Sequence, residues 1–125
     1  MIDGIPVTEH DATINTDDGR TDAVSCRPEG DGQWPGVLYL TDVGGIRPTT
    51  CEQIRRLAAD GYLVLMPNLF YRIARPPVFE VKPNDWEGFQ KRMTELTAPL
   101  TPEKLDRDLS TYVDTLTSDR ACAQE

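Results

Sequence analysis

Polar and apolar positions alternate weakly from Thr13 to Thr16, and a second short strand resumes from Thr21 to Arg27. Asp17-Asp18-Gly19 lies between them and reads as a hairpin turn, because glycine accepts the positive φ such a turn needs. Pro28 to Pro35 holds two prolines and two glycines and reads as a loop. The rhythm then changes. Val37 to Leu40 are four consecutive apolar residues, the pattern of a strand buried on both faces of a parallel sheet. Cys51, Ile54, Leu57 and Ala58 follow at helical spacing. Thr49-x-x-Glu52 matches a capping box, and Gly61 stands where a helix C-cap belongs. Tyr62 to Pro67 predicts a second buried strand that stops at proline. Strand, helix and strand within about thirty residues make a βαβ unit, whose strands are expected to run parallel with a right-handed crossover.

The next stretch, NLFYRIARPPVFEVKPND, carries three prolines and reads as a long excursion. Trp86, Phe89, Met93 and Leu96 then predict an amphipathic helix capped by Asn84 or Asp85. Thr101-Pro102-Glu103 opens a last helix, with proline in its first turn. Leu105, Leu109, Tyr112, Val113 and Leu116 form its apolar face. The closing SDRACAQE is polar and patternless and is expected to fray. No internal repeat or low-complexity tract interrupts the pattern.

The chain has 125 residues, of which 38% are hydrophobic, which suits one modest domain. Its formal net charge of -8 argues against a nucleic-acid partner, which would want a basic face. The sequence shows no basic segment followed by an apolar one at the N-terminus, and no apolar run near the roughly 18 residues of a membrane span. A cytoplasmic protein without a membrane partner is therefore expected. Cys26, Cys51 and Cys122 match neither a ligand pair nor a disulfide framework. They are expected to be reduced thiols, with Cys51 buried on its helix. His10 is the one histidine, and it reads as a solvated side chain ahead of the first strand. Neither a metal site nor a cofactor is expected.

The candidate chemistry lies in LYLTDVGGIRP, where a glycine turn joins strand to helix. Neither GxGxxG nor GxxxxGK[ST] is present, although Gly44-Gly45 at a helix N-terminus could still receive an anion. A glycine pair also lets a backbone N–H approach a substrate, as the loop after the third strand of α/β-hydrolases does for an oxyanion. Asp42 reads equally as a cap and as the wall of an active site. Arg72 and Arg75 are expected to pair with surface carboxylates. Trp86 and Phe89 read as core or lid packing. Glu103-Lys104 and Asp106-Arg107-Asp108 read as a solvated helix face.

In order, DDG in a hairpin, then PGVLYLTDVGGIRP, then RRLAADGYLVLMPNLFYR resemble the dienelactone hydrolase family of α/β-hydrolases, over about Ile14 to Arg72. The resemblance implies an α/β fold with a three-layer α/β-hydrolase-type sheet, of which residues 1–125 supply one partial domain with the first four strands and their helices. It implies that Asp42 is the acidic residue near the nucleophile. Val43, with Gly44, would contribute to the oxyanion hole, and Arg92 would meet a substrate carboxylate. Asn68 stands where the family has aspartate and reads as a turn-holder. The substrate class implied is a small ester or lactone.

The family's nucleophile sits on a G-x-[SC]-x-G elbow, and that pattern is absent from this sequence. No catalytic residue is therefore assigned: nucleophile, acid and histidine are all expected outside the chain. A truncated hydrolase, inactive alone, is one expectation. The alternative is a non-catalytic half-domain acting as an interaction module. In both cases the third strand is expected to be a bare apolar edge open to self-association, and the last helix to be partly uncovered.

Overall fold

The computed structural model describes residues 6–124, and its first two strands form one long hairpin. β1 (Val7–Thr16) and β2 (Gly19–Pro28) pair antiparallel along their whole length, from Val7 opposite Pro28 to Thr16 opposite Gly19. Gly19 takes φ 145°, so the two-residue turn falls where Asp17-Asp18-Gly19 placed it. β1 is longer than its alternation predicts. Thr8 to Asp11 are exposed and carry no apolar signal, yet ladder pairing with β2 keeps them extended. His10 thus lies within β1, opposite Ser25, and not ahead of it.

β3 (Gly36–Leu38), α1 (Pro48–Ala59) and β4 (Leu63–Pro67) form the βαβ unit, with β3 and β4 parallel. The sheet order is β1-β2-β4-β3, and β4 pairs antiparallel with β2 on its other side. β4 is therefore central and buried throughout. Its alternation divides the interior. Leu63 and Leu65 face a core with Ile14, Tyr112 and Leu116, whereas Val64 and Met66 face a second core with Ile54 and Ala58. α1 covers the second face and α3 (Pro102–Thr117) the first, giving helix, sheet and helix layers. Each large apolar side chain so enclosed contributes roughly 2 kcal/mol.

Several expectations need correction. The apolar run Val37 to Leu40 is only half-buried, and Leu40 is 48% exposed, because β3 is an edge strand with one paired neighbour. Regular pairing still reaches one residue past Leu38, where Tyr39 N–H donates to Leu65 O at 2.9 Å. Glu52 does not close a capping box with Thr49. Helix α1 starts at Pro48, Thr50 Oγ1 accepts from Arg47 N–H at 3.0 Å, and Glu52 pairs with Arg56. Gly61 ends α1 as expected, with φ 101° and its N–H on Ala58 O.

The tail after α3 does not fray through residue 124, and Glu125 lies outside the described residues. Ala121 and Cys122 are buried, and Trp34 forms a parallel bridge with Cys122. Trp34 N–H donates to Ala121 O at 2.8 Å and Ala123 N–H to Trp34 O at 2.9 Å. Gly36 makes this approach possible, since a Cβ there would stand 3.0 Å from Cys122 Sγ and 3.1 Å from Leu116.

α2 (Trp86–Thr97) is capped by Asp85, whose carboxylate accepts from Gly88 N–H at 3.0 Å. Its apolar stripe is mostly open. Leu96 is buried, but Met93 is 37% exposed and Trp86 65% exposed, so Trp86 is not a core residue. Helical spacing specified one shared face, but over its first turn Phe79 meets Phe89 while Trp86 stays exposed. Asp108 departs from expectation in the opposite sense. It is buried on α3, where it accepts from Arg72 Nη1 at 2.8 Å and from Tyr71 Oη at 3.1 Å. Arg72 also reaches Asp18 at 2.6 Å. Burial alone would lower the Arg72 pKa, but these two carboxylates raise it.

Candidate active site

The parallel ladder aims the carboxyl end of β3 at the glycine turn. Asp42 to Gly45 closes as a tight turn, with Gly45 N–H donating to Asp42 O at 3.0 Å. Gly44 N–H donates to Asp42 Oδ1 at 2.9 Å. The space beside both glycines is occupied, by the end of a flexible side chain at Gly44 and by a packed valine at Gly45. A Cβ on Gly44 would collide with the Arg47 guanidinium, and one on Gly45, at φ 70°, would stand 2.5 Å from Val78 Cγ2.

Asp42 is 69% exposed at its side chain but tightly held. Arg47 Nη1 donates to Oδ1 at 2.8 Å and Nη2 to Oδ2 at 3.2 Å, while Nη1 also reaches Gly45 O at 2.9 Å. The Arg47 guanidinium, helped by Gly44 N–H, holds the Asp42 carboxyl below its usual pKa. Val43 differs from the two glycines that follow it. Its side chain packs against the core under α3, and its N–H donates to no group among the described residues. The buried Thr41 hydroxyl likewise lacks a partner among them.

An unpaired amide at a fixed turn can donate to an oxygen that gains negative charge. The anion reading fits less well. The guanidinium in contact with this turn, that of Arg47, is spent on Asp42, and an anion over Gly44-Gly45 would meet that carboxylate.

The structure brings Asp42, Val43 and Gly44 into one turn and places Arg92 one step away. Arg92 Nε donates to Val78 O at 2.8 Å, and Nη1 pairs with Glu95 at 3.1 Å. Val78 is the residue lying over Gly45, so Arg92 meets the turn through Val78. Beyond it lies a cleft of about 630 Å³ lined by Phe79, Val81, Lys82, Trp86 and Phe89, among others. Trp86 stacks on Phe89 with ring centroids 5.4 Å apart, and Phe89 meets Phe79 at 5.0 Å.

Sequence reasoning missed Arg47 and Val78. Arg47 lies five residues beyond Asp42, with no motif to mark it. Val78, beside two prolines, carries no periodic signal at all. Asn68 was read correctly as a turn-holder: fully buried, it donates to Ala74 O at 2.9 Å and accepts from Phe70 N–H at 3.0 Å. Among the described residues, no group of three His, Cys, Asp or Glu side chains is placed to hold a metal ion. No described helix is long and apolar enough to cross a membrane.

A sequence profile of the Dienelactone hydrolase family matches residues 21–125. The chain belongs to that family. It is similar to the protein named "Putative carboxymethylenebutenolidase" in Escherichia coli strain K12, with 30% identity over 88 residues. That match covers 70% of this chain and 30% of the relative, and the Salmonella typhi protein of the same name matches equally. The fold is that of the solved "Putative Dienelactone Hydrolase" from Klebsiella pneumoniae, with TM-score 0.73 and 22% identity, over 90% of this chain and 44% of that one. A dienelactone hydrolase-like promiscuous phosphotriesterase from metagenomic libraries superposes with TM-score 0.73 at 18% identity, over 94% of this chain and 45% of that one. The chain thus spans under a third of these curated relatives and under half of these solved structures.

Proposed function

We propose that this chain supplies the first half of an ester- or lactone-hydrolysing site, with Val43 N–H as an oxyanion donor. The observation that carries the reading is the Val43 amide, unpaired among the described residues in a turn whose next two amides, those of Gly44 and Gly45, are consumed internally. In this role Asp42 forms the acidic wall of the site. The Arg92 Nη2 group, which makes no hydrogen bond among the described residues, turns toward a substrate carboxylate.

The attacking thiolate or hydroxyl comes from polypeptide that this sequence does not contain. The free edge of β3 gives it a place. Odd residues of this strand bond to β4, through Pro35 O and Tyr39 N–H, so even residues face outward. Trp34 already uses both outward groups on residues 121–123, which run parallel to β3. A strand continuing that ladder past Gly36 and Leu38 ends beside the Val43 turn. Its nucleophile then bonds to the ester carbonyl carbon. The carbonyl oxygen becomes an oxyanion held by Val43 N–H and a second amide. Collapse breaks the carbon–oxygen bond to the leaving alcohol, which takes a proton, and water then releases the acid.

The test compares this chain with a polypeptide extended by the residues encoded after Glu125, using an activated ester. Turnover is expected only from the extended form. Replacing Val43 by proline, which removes the N–H, is expected to lower kcat by about 10²–10³-fold. Full activity of a folded Val43→Pro variant would overturn the reading.

The open β3 edge also supports a second reading, a half-domain that associates through that edge. A defined dimer in size-exclusion chromatography, broken by a lysine at Leu38, favours it; a monomer counts against it.

A further inference from the structure

We propose that Arg47 is the positioning residue that holds rigid the turn presenting Val43 N–H, by clamping the Asp42 carboxylate and the Gly45 carbonyl together. The proposal rests on the oxyanion reading for its purpose, but the clamp is a property of this chain alone.

Three bonds from one guanidinium define it. Arg47 Nη1 is shared between Asp42 Oδ1 at 2.8 Å and Gly45 O at 2.9 Å, and Nη2 takes Asp42 Oδ2 at 3.2 Å. The same Oδ1 accepts from Gly44 N–H at 2.9 Å. One carboxylate therefore consumes the Gly44 amide and fixes the position of the guanidinium. That guanidinium in turn fixes the peptide after Gly45, whose own amide is taken by Asp42 O. Of the three amides that follow Asp42, only that of Val43 is left without an acceptor among the described residues. The clamp is itself anchored, because Arg47 N–H donates to Thr50 Oγ1 at 3.0 Å and Thr50 Oγ1–H returns to Arg47 O at 3.0 Å in the first turn of α1.

A single exposed ion pair would hold little. Here the pair is bidentate, a carbonyl shares the same donor, and only five residues separate the partners, so little chain entropy opposes closure. Lysine cannot reproduce the geometry, since an ammonium lacks the planar fork. Gly44 fits the same scheme, for the guanidinium occupies the space a side chain there would fill. Among the described residues, Arg47 is the charged side chain bonded to the Asp42 carboxylate, and its pull on that carboxyl agrees with the geometry.

The test is nuclear magnetic resonance on this chain, without any turnover assay. In the native protein, ¹⁵N relaxation should show Val43, Gly44 and Gly45 as ordered as core amides at neutral pH. Order should be lost as Asp42 takes up a proton. In Arg47→Gln the Asp42 midpoint should move up toward that of an unpaired carboxyl, with the turn mobile at every pH. Arg47→Lys should restore order only in part, and Asp42→Asn should abolish the pH dependence. The Ile54 and Val64 amides report folding throughout. A folded Arg47→Gln variant with native order and native titration at this turn overturns the proposal. If that variant does not fold, Arg47→Lys decides: native order there overturns the clamp equally. A clamp found without esterase activity in the extended enzyme would instead remove only the oxyanion role.

Discussion

Val78 Cγ2 lies 2.5 Å from where a Cβ on Gly45 would stand. Residues 33 positions apart in sequence therefore share one space, and the Pro-rich excursion is pressed onto the turn that leaves β3. Gly45 also holds φ 70°, where a side chain is strained whatever room it has. Gly45→Ala is expected to cost about 1–3 kcal/mol of stability, from strain and displacement of Val78 together. Urea denaturation measures it. An unchanged midpoint would show that the strap over the turn yields freely.

Asp108 and Arg72 form the most enclosed ion pair, with side chains 4% and 12% exposed. Asp108→Ala leaves Arg72 enclosed with Asp18 as its remaining carboxylate partner, and it removes an acceptor from Tyr71. A loss of roughly 3 kcal/mol is expected, because removal of one buried partner strands the other charge. Asp18→Ala, at the solvent end of the same arginine, should cost far less. Equal losses from the two substitutions would contradict this ranking.

Stability should fall at both ends of the pH scale. Arg72 lowers the Asp18 carboxyl, and Arg47 lowers that of Asp42. Burial alone would raise Asp119, but Ala121 N–H and the Arg27 guanidinium bring it below normal. A depressed carboxyl binds protons more weakly folded than unfolded. Its contribution is complete above the ordinary value of 3.8 and is lost as pH falls through the lower folded value. Burial raises the Cys26 thiol above 9.0 and the Tyr112 phenol above 10.0. Those contributions hold below the ordinary values and are lost as pH rises past them. The urea midpoint should be flat between about pH 5 and pH 8 and decline on either side. A midpoint still rising below pH 4 would reverse the sign assigned to the carboxylates.

Local signals were readable where the physics is local. The Asp17-Asp18-Gly19 turn, the α1 spacing from Cys51 to Ala58 and the Gly61 cap each follow from a few neighbouring residues, and each is present. The carboxyl end of β3 was equally legible as a place for chemistry, because an apolar run ending in Asp-Val-Gly-Gly can do little but turn. The Arg47 fork was not legible, since an arginine near an aspartate does not reveal which backbone oxygens it will also reach. Nor was the burial of Asp108, whose charged neighbours on α3 read as solvated until Arg72 and Tyr71 arrive from the other side of the first core.

By itself, the sequence determined the hairpin, the βαβ unit, both glycines of the turn and membership of the family. Those rest on periodicity and on backbone conformations that few residues tolerate. The edge position of β3 was expected from the sequence, but tertiary structure alone decided that the strand is only half-buried, that residues 121–123 dock beside Trp34, and that Trp86 faces solvent. It also left Val43 N–H without an acceptor among the described residues, while Gly44 and Gly45 N–H turn inward. Such outcomes depend on which surfaces finally meet, and a hydrophobic pattern names a face without naming what covers it.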